Sequence, residues 1–196
     1  MTEPPLLVAF LAAAYLFGAI PFGLLLAKAV GIDVRGAGSG NIGATNVART
    51  AGKGLGVATL VLDALKGATP VLIAQHLLGA PTWVEVAGGL AAIAGHVFPV
   101  YLRFKGGKGV ATALGVFVTL TPAAAGAAVL TFGVVFALFR MVSLGSLVAA
   151  LALIAASVYL DGRLEVISAA ALVSGLVFVR HTGNIRRMVS KTESKM

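Results

Sequence analysis

Long apolar runs alternate with short polar breaks along almost the whole chain. The breaks contain turn-forming residues, such as Thr121-Pro122 and Asp161-Gly162-Arg163. Because a helix needs roughly 20 mostly apolar residues to cross a bilayer, the pattern predicts an all-α, polytopic membrane protein with about seven transmembrane helices in one domain, residues 1–196. The seven runs cover Leu6–Val30, Leu55–Leu78, Val84–Val100, Val110–Leu120, Ala123–Phe139, Met141–Leu160 and Leu164–Val179.

Two runs do not fit a simple spanning helix. Pro21 lies inside the first run, where its ring and missing N–H predict a bend. The run Val110–Leu120, at ~1.5 Å per residue, is too short to cross a ~30 Å core alone. One long helix from Val110 to Phe139 is the alternative, but Pro122 and the positive charge of Arg140 favour two helices.

The composition supports the membrane assignment. Of the 196 residues, 59% are hydrophobic and 11% are charged, and the mean hydropathy is +1.00. A soluble domain of this length would carry about 25% charged residues. The absence of cysteine excludes disulfides, thiol catalysis and thiolate metal sites. The first residues, MTEPPLL, lack the basic start of a secretory signal, so the first run is expected to be a retained span.

The net charge of +8 comes from basic residues that cluster in a few places. They lie around the first and third breaks, at Arg140 and in the C-terminal tail, while the alternate breaks hold almost none apart from Arg163. Cytoplasmic loops of membrane proteins are enriched in Lys and Arg, which explains the charge without a nucleic-acid partner. The distribution predicts an odd number of spans, with the N-terminus outside and the C-terminus in the cytoplasm.

Three of the basic clusters also contain glycine and amide-rich sequence. They are GSGNIGATNVAR (Gly38–Arg49), GHVFPVYLRFKGGKGVAT (Gly95–Thr112) and RHTGNIRR (Arg180–Arg187). The predicted topology places all three on the cytoplasmic side. Glycine lets several backbone N–H groups point at one spot, and helix N-termini and cationic side chains add positive charge. The three stretches therefore predict a site that binds phosphate groups.

The segment Gly38–Gly43 also fits the G-x-G-x-x-G pattern of dinucleotide-binding loops. That pattern needs a preceding strand and a following helix within a βαβ unit, whereas this segment lies between two predicted spans. A nucleotide site is therefore not expected. Lys108 is not a P-loop lysine either, because the G-x-x-x-x-G-K-[ST] spacing is missing and Gly109 follows the lysine.

The candidate side chains of these stretches also have purely structural interpretations. Lys108 could be a surface anchor of the positive-inside kind. His96 could be an interfacial histidine with satisfied hydrogen bonds, and His181 a solvated histidine of the tail. The polar residues of the first stretch could cap helices; they are Ser39, Asn41, Thr45 and Asn46.

Four polar residues inside the apolar runs have similar alternatives. Asp63 and Lys66 lie three residues apart and so on one helical face. Since charges within a membrane pair or serve function, a structural ion pair near the site is favoured. Ser143 and Ser146 begin the run after Arg140, and they either cap that helix or contact a phosphate or hydroxyl group of a substrate.

The carboxylates are too few and scattered for metal-dependent phosphoryl transfer, which needs clustered Asp and Glu. Asp33 is the one loop carboxylate expected near the three stretches, and no H-x-x-x-x-D pattern or Ser–His–Asp set is evident. A cationic site suits acyl transfer from an acyl phosphate, because phosphate is a good leaving group and positioning can do most of the work. The hydroxyl proton would go either to His181 or to a substrate phosphate.

A transporter for a phosphorylated solute is the alternative function. Such a protein should show polar features on both faces, or inverted repeats around broken helices. Here the polar stretches are expected on one face, and no internal repeat is evident in the sequence. The enzyme hypothesis is therefore favoured.

The three stretches, in this order and together with LDALKG (Leu62–Gly67), resemble the signatures of the bacterial acyl-phosphate:glycerol-3-phosphate acyltransferases of the PlsY type. The resemblance covers essentially the whole chain and implies a seven-helix enzyme of the bacterial inner membrane with its active site facing the cytoplasm. It implies transfer of a fatty acyl group from acyl phosphate to the 1-hydroxyl of sn-glycerol 3-phosphate, which gives lysophosphatidic acid and inorganic phosphate in the first step of phospholipid synthesis. Beside these substrates and membrane lipid, no cofactor, metal or obligate protein partner is expected.

The resemblance also implies roles for individual residues. The catalytic set would be Ser39, Lys108, His181 and Asn184, of which the last two complete the glycerol-phosphate site. The substrate-binding set would be Gly38, Gly40, Asn41, Thr45, Asn46, Arg49, Gly106, Gly107, Ser143 and Ser146. Thr182-Gly183 departs slightly from the family, which commonly has longer polar residues at these two positions.

Overall fold

Helices form all the regular secondary structure of the computed structural model, which describes residues 3–196 and holds no strand in that range. The all-α prediction is thereby confirmed. A π-turn at Ile73–Leu77 extends the fourth helix, and a 3-10 turn at Val100–Leu102 follows the fifth. The α-helices are α1 Pro4–Gly18, α2 Phe22–Ala29, α3 Ala44–Thr50, α4 Lys53–Leu72, α5 Thr82–Val97, α6 Val110–Leu120, α7 Pro122–Phe139, α8 Val142–Leu160, α9 Leu164–Arg180 and α10 Thr182–Val189.

Every one of the seven predicted apolar runs is helical, although their lengths differ. Within the described residues, five helical segments are long and apolar enough to cross a membrane: Pro4–Ala29, Lys53–Leu77, Thr82–Leu102, Pro122–Phe139 and Val142–Leu160. A sixth span forms if α9 and α10, which meet at a bend of 58°, are taken together. The helix α6 has 11 residues, as the sequence predicted.

Both predicted breaks occur at prolines. Pro21 separates α1 from α2, and at this break the Lys66 Nζ donates a hydrogen bond to the Ile20 carbonyl at 2.8 Å. Thr121 separates α6 from α7, and Pro122 occupies the first position of α7, where its missing N–H costs no helical hydrogen bond. The prediction of two helices in place of one long helix is therefore confirmed.

Two compact units make up the chain, one ending at Thr119 and the other running from Leu120 to Met196. In the first unit, glycines allow helices to approach closely. A Cβ at Gly67 of α4 would overlap the Thr112 carbonyl, and a Cβ at Gly115 of α6 would overlap the Ala64 carbonyl. Small residues at helix contacts are typical of membrane proteins, and this contact fixes α6 against α4.

The second unit is built on α8, which packs against α7 and α9. The turn between α8 and α9 contains Arg163, the exception to the distribution of basic residues. Its Nε donates to Asp161 at 2.8 Å and its Nη2 donates to the same carboxylate at 2.7 Å. These bonds lower the pKa of Asp161 to about 2. Asp161 is therefore ionised and balances the positive charge of Arg163, so this turn adds no net positive charge.

Candidate active site

Asn46 organises the loop formed by the first glycine-rich stretch. Its Oδ1 accepts a hydrogen bond from the Ser39 N–H at 2.8 Å, and its Nδ2 lies 2.9–3.0 Å from the carbonyl oxygens of Val34, Ala37 and Asn41. The residue is only 2% exposed. A buried amide with main-chain partners on both its atoms holds the loop in shape, so the structure gives Asn46 a different role from the predicted substrate contact.

The polar residues of this stretch do not cap helices. Gly43 and Gly52 precede α3 and α4, and among the described residues no side chain caps either helix. Asn41 instead accepts a hydrogen bond from the Gly43 N–H at 2.8 Å, which closes a local turn. Thr45 is half-buried in the first turn of α3. The capping interpretation was therefore wrong.

The solvent-facing part of the loop is formed by Gly38, Ser39 and Gly40, all exposed. The two glycines have φ of 59° and 70°, a region that glycine adopts without strain. Beneath the loop, a small apolar core anchors its ends; this core contains Leu24, Ala27, Val34, Ile42 and Val47. Ser39 is thus exposed in an anchored loop, and Arg49 is exposed in the last turn of α3.

Asp33, the carboxylate expected near the glycine-rich stretches, forms an ion pair with Arg35. Arg35 donates to both its oxygens, with Nε at 2.9 Å from Oδ1 and Nη2 at 2.5 Å from Oδ2. These hydrogen bonds hold the pKa of Asp33 well below its usual range. A carboxylate that remains ionised and paired is a poor general base.

The second stretch turns back along the end of α5. Arg103 and Phe104 have φ of 51° and 62°, and the chain then returns so that the Gly106 N–H donates to the Val97 carbonyl at 3.2 Å. Lys108 follows, half-buried, immediately before Gly109 and α6. Lys108 thus lies just before the N-terminal end of a helix, where unpaired N–H groups and the helix dipole also contribute positive charge. This arrangement suits a phosphate group.

Asp63 and Lys66 form the predicted ion pair inside α4. The Lys66 Nζ lies 2.8 Å from Asp63 Oδ1, and both side chains are at most 3% exposed. His96 Nδ1 lies 3.7 Å from the same carboxylate oxygen, and His96 is 4% exposed. The ion-pair prediction is confirmed, and His96 is buried beside the pair.

His181 lies at the junction of α9 and α10 and is 2% exposed, so the interpretation as a solvated tail residue was wrong. Its Nδ1 is 2.8 Å from the Val177 carbonyl oxygen. Because a carbonyl can only accept, Nδ1 carries the hydrogen. In neutral His181, Nε2 is therefore the nitrogen that can take up a proton.

Glu193 is the site residue that sequence reasoning missed. Its Oε1 accepts hydrogen bonds from the Asn184 Nδ2 at 2.6 Å and the Ser143 Oγ at 2.7 Å, and its Oε2 accepts one from the Arg187 Nε at 2.7 Å. Burial opposes ionisation, but these hydrogen bonds together lower the pKa of Glu193. The expectation that Asp33 is the one carboxylate near these stretches is thus corrected. Lys191, with φ of 57°, is in the turn that leads to Glu193, and the sequence of this polar tail gives no signal for it.

The structure brings the predicted residues together in local sets. Ser39, Asn41 and Asn46 share the first loop, and Ser143 and Asn184 share the Glu193 carboxylate. Ser146 is 4% exposed and donates to the Val142 carbonyl of its own helix at 2.9 Å. In the described part of the chain, no three His, Cys, Asp or Glu side chains form a group that could hold a metal ion.

Comparison with known proteins identifies the family. A family model described as glycerol-3-phosphate acyltransferase matches residues 8–191. The glycerol-3-phosphate acyltransferase of Geotalea daltonii is 50% identical over 187 residues, which is 95% of this chain and 96% of that protein. Two crystal structures of PlsY (YgiH), an integral membrane glycerol 3-phosphate acyltransferase, also match this chain. The TM-score is 0.93 for the glycerol 3-phosphate form and 0.90 for the lysophosphatidic acid form. In both cases the sequence identity is 40%, and the match covers 97% of this chain and 95% of the crystallised chain. The chain therefore belongs to the glycerol-3-phosphate acyltransferase family, as its resemblance to the PlsY type predicted.

Proposed function

We propose that this protein transfers a fatty acyl group from acyl phosphate to the 1-hydroxyl of sn-glycerol 3-phosphate, giving lysophosphatidic acid and inorganic phosphate. One observation carries the proposal: the backbone matches crystal structures of PlsY in a glycerol 3-phosphate form and a lysophosphatidic acid form over 97% of this chain. These two molecules are the acceptor and the product of the proposed reaction. The acyl phosphate donor is supported by the site chemistry.

The chemical step needs positioned cations more than it needs a strong base. The glycerol oxygen attacks the acyl carbonyl carbon, the bond from that carbon to the phosphate oxygen breaks, and phosphate leaves with the electron pair. Lys108 and the N-terminus of α6 are suited to hold a phosphate group and its developing charge. The exposed groups Ser39 and Arg49 are assigned to polar parts of the substrates.

The remaining proton has two possible acceptors, His181 Nε2 and a substrate phosphate. The hydrogen bond from Nδ1 to the Val177 carbonyl keeps Nε2 in the accepting form. Replacing His181 with Gln separates the two routes. If His181 takes the proton, the kcat of the His181→Gln variant falls steeply, and the decrease of kcat at acidic pH disappears from its pH profile. If a phosphate takes it, the variant loses mainly affinity, and the pH profile of kcat keeps its shape.

In our proposal, residues 1–196 act as one transmembrane acyltransferase domain of the bacterial inner membrane. His181 and Asn184 complete the glycerol-phosphate site, with Ser143 and Ser146 near the bound acceptor. The active site faces the cytoplasm, the N-terminus lies outside and the C-terminus inside. The distribution of Lys and Arg along the sequence supports this orientation.

Purified protein tests the reaction directly. With palmitoyl phosphate and glycerol 3-phosphate together it should release phosphate and form lysophosphatidic acid, and neither substrate alone should give product. Product from acyl-CoA would contradict the donor assignment. Absence of product with both short and long acyl phosphates would contradict the function.

The cysteine-free chain makes the orientation easy to test with single introduced cysteines. Lys105→Cys in the second stretch and Thr182→Cys in the third are both at exposed positions, and they should react with an impermeant maleimide only from the cytoplasmic side. Leu77→Cys, 77% exposed before the next predicted span, should react from the opposite side. Labelling of positions 105 and 182 from different sides of the membrane would refute the proposed orientation.

A further inference from the structure

The imidazole of His96 lies between a buried ion pair and the segment that carries Lys108. On one side, its Nδ1 is 3.7 Å from Asp63 Oδ1, the oxygen that also pairs with Lys66. On the other side, a Cβ added to Gly107 would overlap its Nε2. The ring thus fills the space between α4 and the α-carbon of Gly107, and it is 4% exposed.

The main chain of His96 holds the same segment. The Gly107 N–H donates to the His96 carbonyl at 3.1 Å, and the Gly106 N–H donates to the neighbouring Val97 carbonyl at 3.2 Å. These two backbone bonds join Gly106 and Gly107 to the end of α5, and the imidazole ring packs against Gly107 from the side of α4. The ring thus contacts the residue that precedes Lys108, so its position and that of the Lys108 segment are linked.

We propose that His96 is a positioning residue for acyl transfer: its ring, packed between Asp63 and Gly107, keeps the Gly106–Gly107 segment where Lys108 meets phosphate. This inference rests on the proposed function, because that function supplies the phosphate group that Lys108 is proposed to bind. His96 acts through Lys108 and needs no contact with substrate. A displacement of about 1 Å in a positioned group can cost about 100-fold in rate, so removal of the ring should lower kcat/KM by about 10- to 100-fold.

The first test compares His96→Ser with His76→Ser in the phosphate-release assay. His76 is exposed in the π-turn at the far end of α4, so its replacement should change kcat/KM less than about twofold, as is usual for surface sites. We expect the His96 variant to lose most of its activity while retaining the wild-type elution profile in detergent. Wild-type kinetics of His96→Ser would overturn the inference.

The second test is a double-mutant cycle, because a general loss of stability would not produce pairwise coupling. Gly107→Ala should cost about tenfold or more in the wild-type background, since its Cβ meets the ring. In the His96→Ser background that clash is gone, and the same change should cost less than about threefold. Gly106→Ala is the matched control, because its Cβ would meet the His96 and Val97 carbonyls and Pro99 but not the ring; its cost should be equal in both backgrounds.

Two outcomes are thereby kept apart. If the wild-type protein releases no phosphate from the two substrates, the proposed function fails. If the wild-type protein is active and Gly107→Ala costs the same in both backgrounds, the function stands and this inference fails. Should His96→Ser not fold, His96→Asn replaces it in the cycle, since its amide can still reach toward Asp63 while the contact with Gly107 is lost.

Discussion

Replacing Asn46 with Ala should open the first loop at a defined place. The amide Nδ2 has two hydrogens shared among three carbonyl groups, and Oδ1 accepts one bond, so about three hydrogen bonds are made at once. Each contributes about 1 kcal/mol net, and the side chain is 2% exposed. The free energy of opening the loop should therefore fall by about 3 kcal/mol, which corresponds to roughly a 100-fold larger open population.

Limited trypsin digestion of the purified protein measures that population. Two of the carbonyl groups held by Asn46 belong to Val34 and Ala37, which flank Arg35, an exposed trypsin site. When the loop closes faster than the protease cuts, the cleavage rate follows the open population. Cleavage after Arg35 should therefore accelerate by about 100-fold, whereas cleavage after Lys105, in the second stretch, should keep its wild-type rate.

Asn41→Ala is the matched control for this experiment. Asn41 makes a single side-chain hydrogen bond with the Gly43 N–H, so its loss should accelerate cleavage after Arg35 by about fivefold. The ranking of Asn46→Ala far above Asn41→Ala is the essential expectation. If Asn46→Ala changes the cleavage rate after Arg35 by less than about threefold, the loop does not depend on this amide and the assignment fails.

Three further predictions follow from other contacts. Lys108→Ala should lower kcat/KM by about 100-fold, as for loss of one charge-stabilising donor, while exposed Lys105→Ala should change it less than about threefold. Glu193→Gln should lower the melting temperature at pH 7. Because the pKa of Glu193 in the folded protein lies below 4.5, the difference in melting temperature between wild type and variant should be full above pH 4.5 and should shrink as the pH falls through that folded-state pKa. Gly115→Ala should lower the melting temperature, because its Cβ would meet the α4 backbone, whereas Gly126→Ala meets no atom within 4 Å and should be neutral or slightly stabilising. Equal melting temperatures for the two glycine variants would contradict the close packing of α4 and α6.

The helices and their breaks could be predicted because they depend on local sequence. Apolar runs of spanning length identify membrane helices wherever they lie in a fold. Pro21 and Pro122 interrupt helices for a reason contained in proline itself. The same is true of the Asp63–Lys66 pair, since three residues of a helix place both side chains on one face.

The contacts of the candidate site could be predicted only in part, because they depend on tertiary structure. Glu193 reaches Ser143, which lies 50 residues earlier in the chain, and no spacing rule links the two. The resemblance to the family implies a substrate contact for Asn46, but the same amide can equally well hydrogen-bond to the carbonyl groups of its own loop. Only burial distinguishes these uses, and burial is a property of the folded chain.

The polar residues of the candidate site fall into two groups: buried residues that hold the loops, and accessible residues that are proposed to bind substrate. A phosphate dianion is best stabilised by donors that are already in place and do not reorganise during the reaction, but glycine-rich loops are flexible by composition. Side chains that are buried therefore have to supply the rigidity: Asn46 holds the first loop, His96 supports the second, and Glu193 fixes the amide of the third stretch. In our proposal the groups that meet substrate are Ser39, which is exposed, and Lys108, which is half-buried. It follows that the effects of substitutions in the buried set should be coupled to the effects of substitutions in the adjoining loop, as tested with His96 and Gly107, whereas substitutions of the accessible groups should be additive with them.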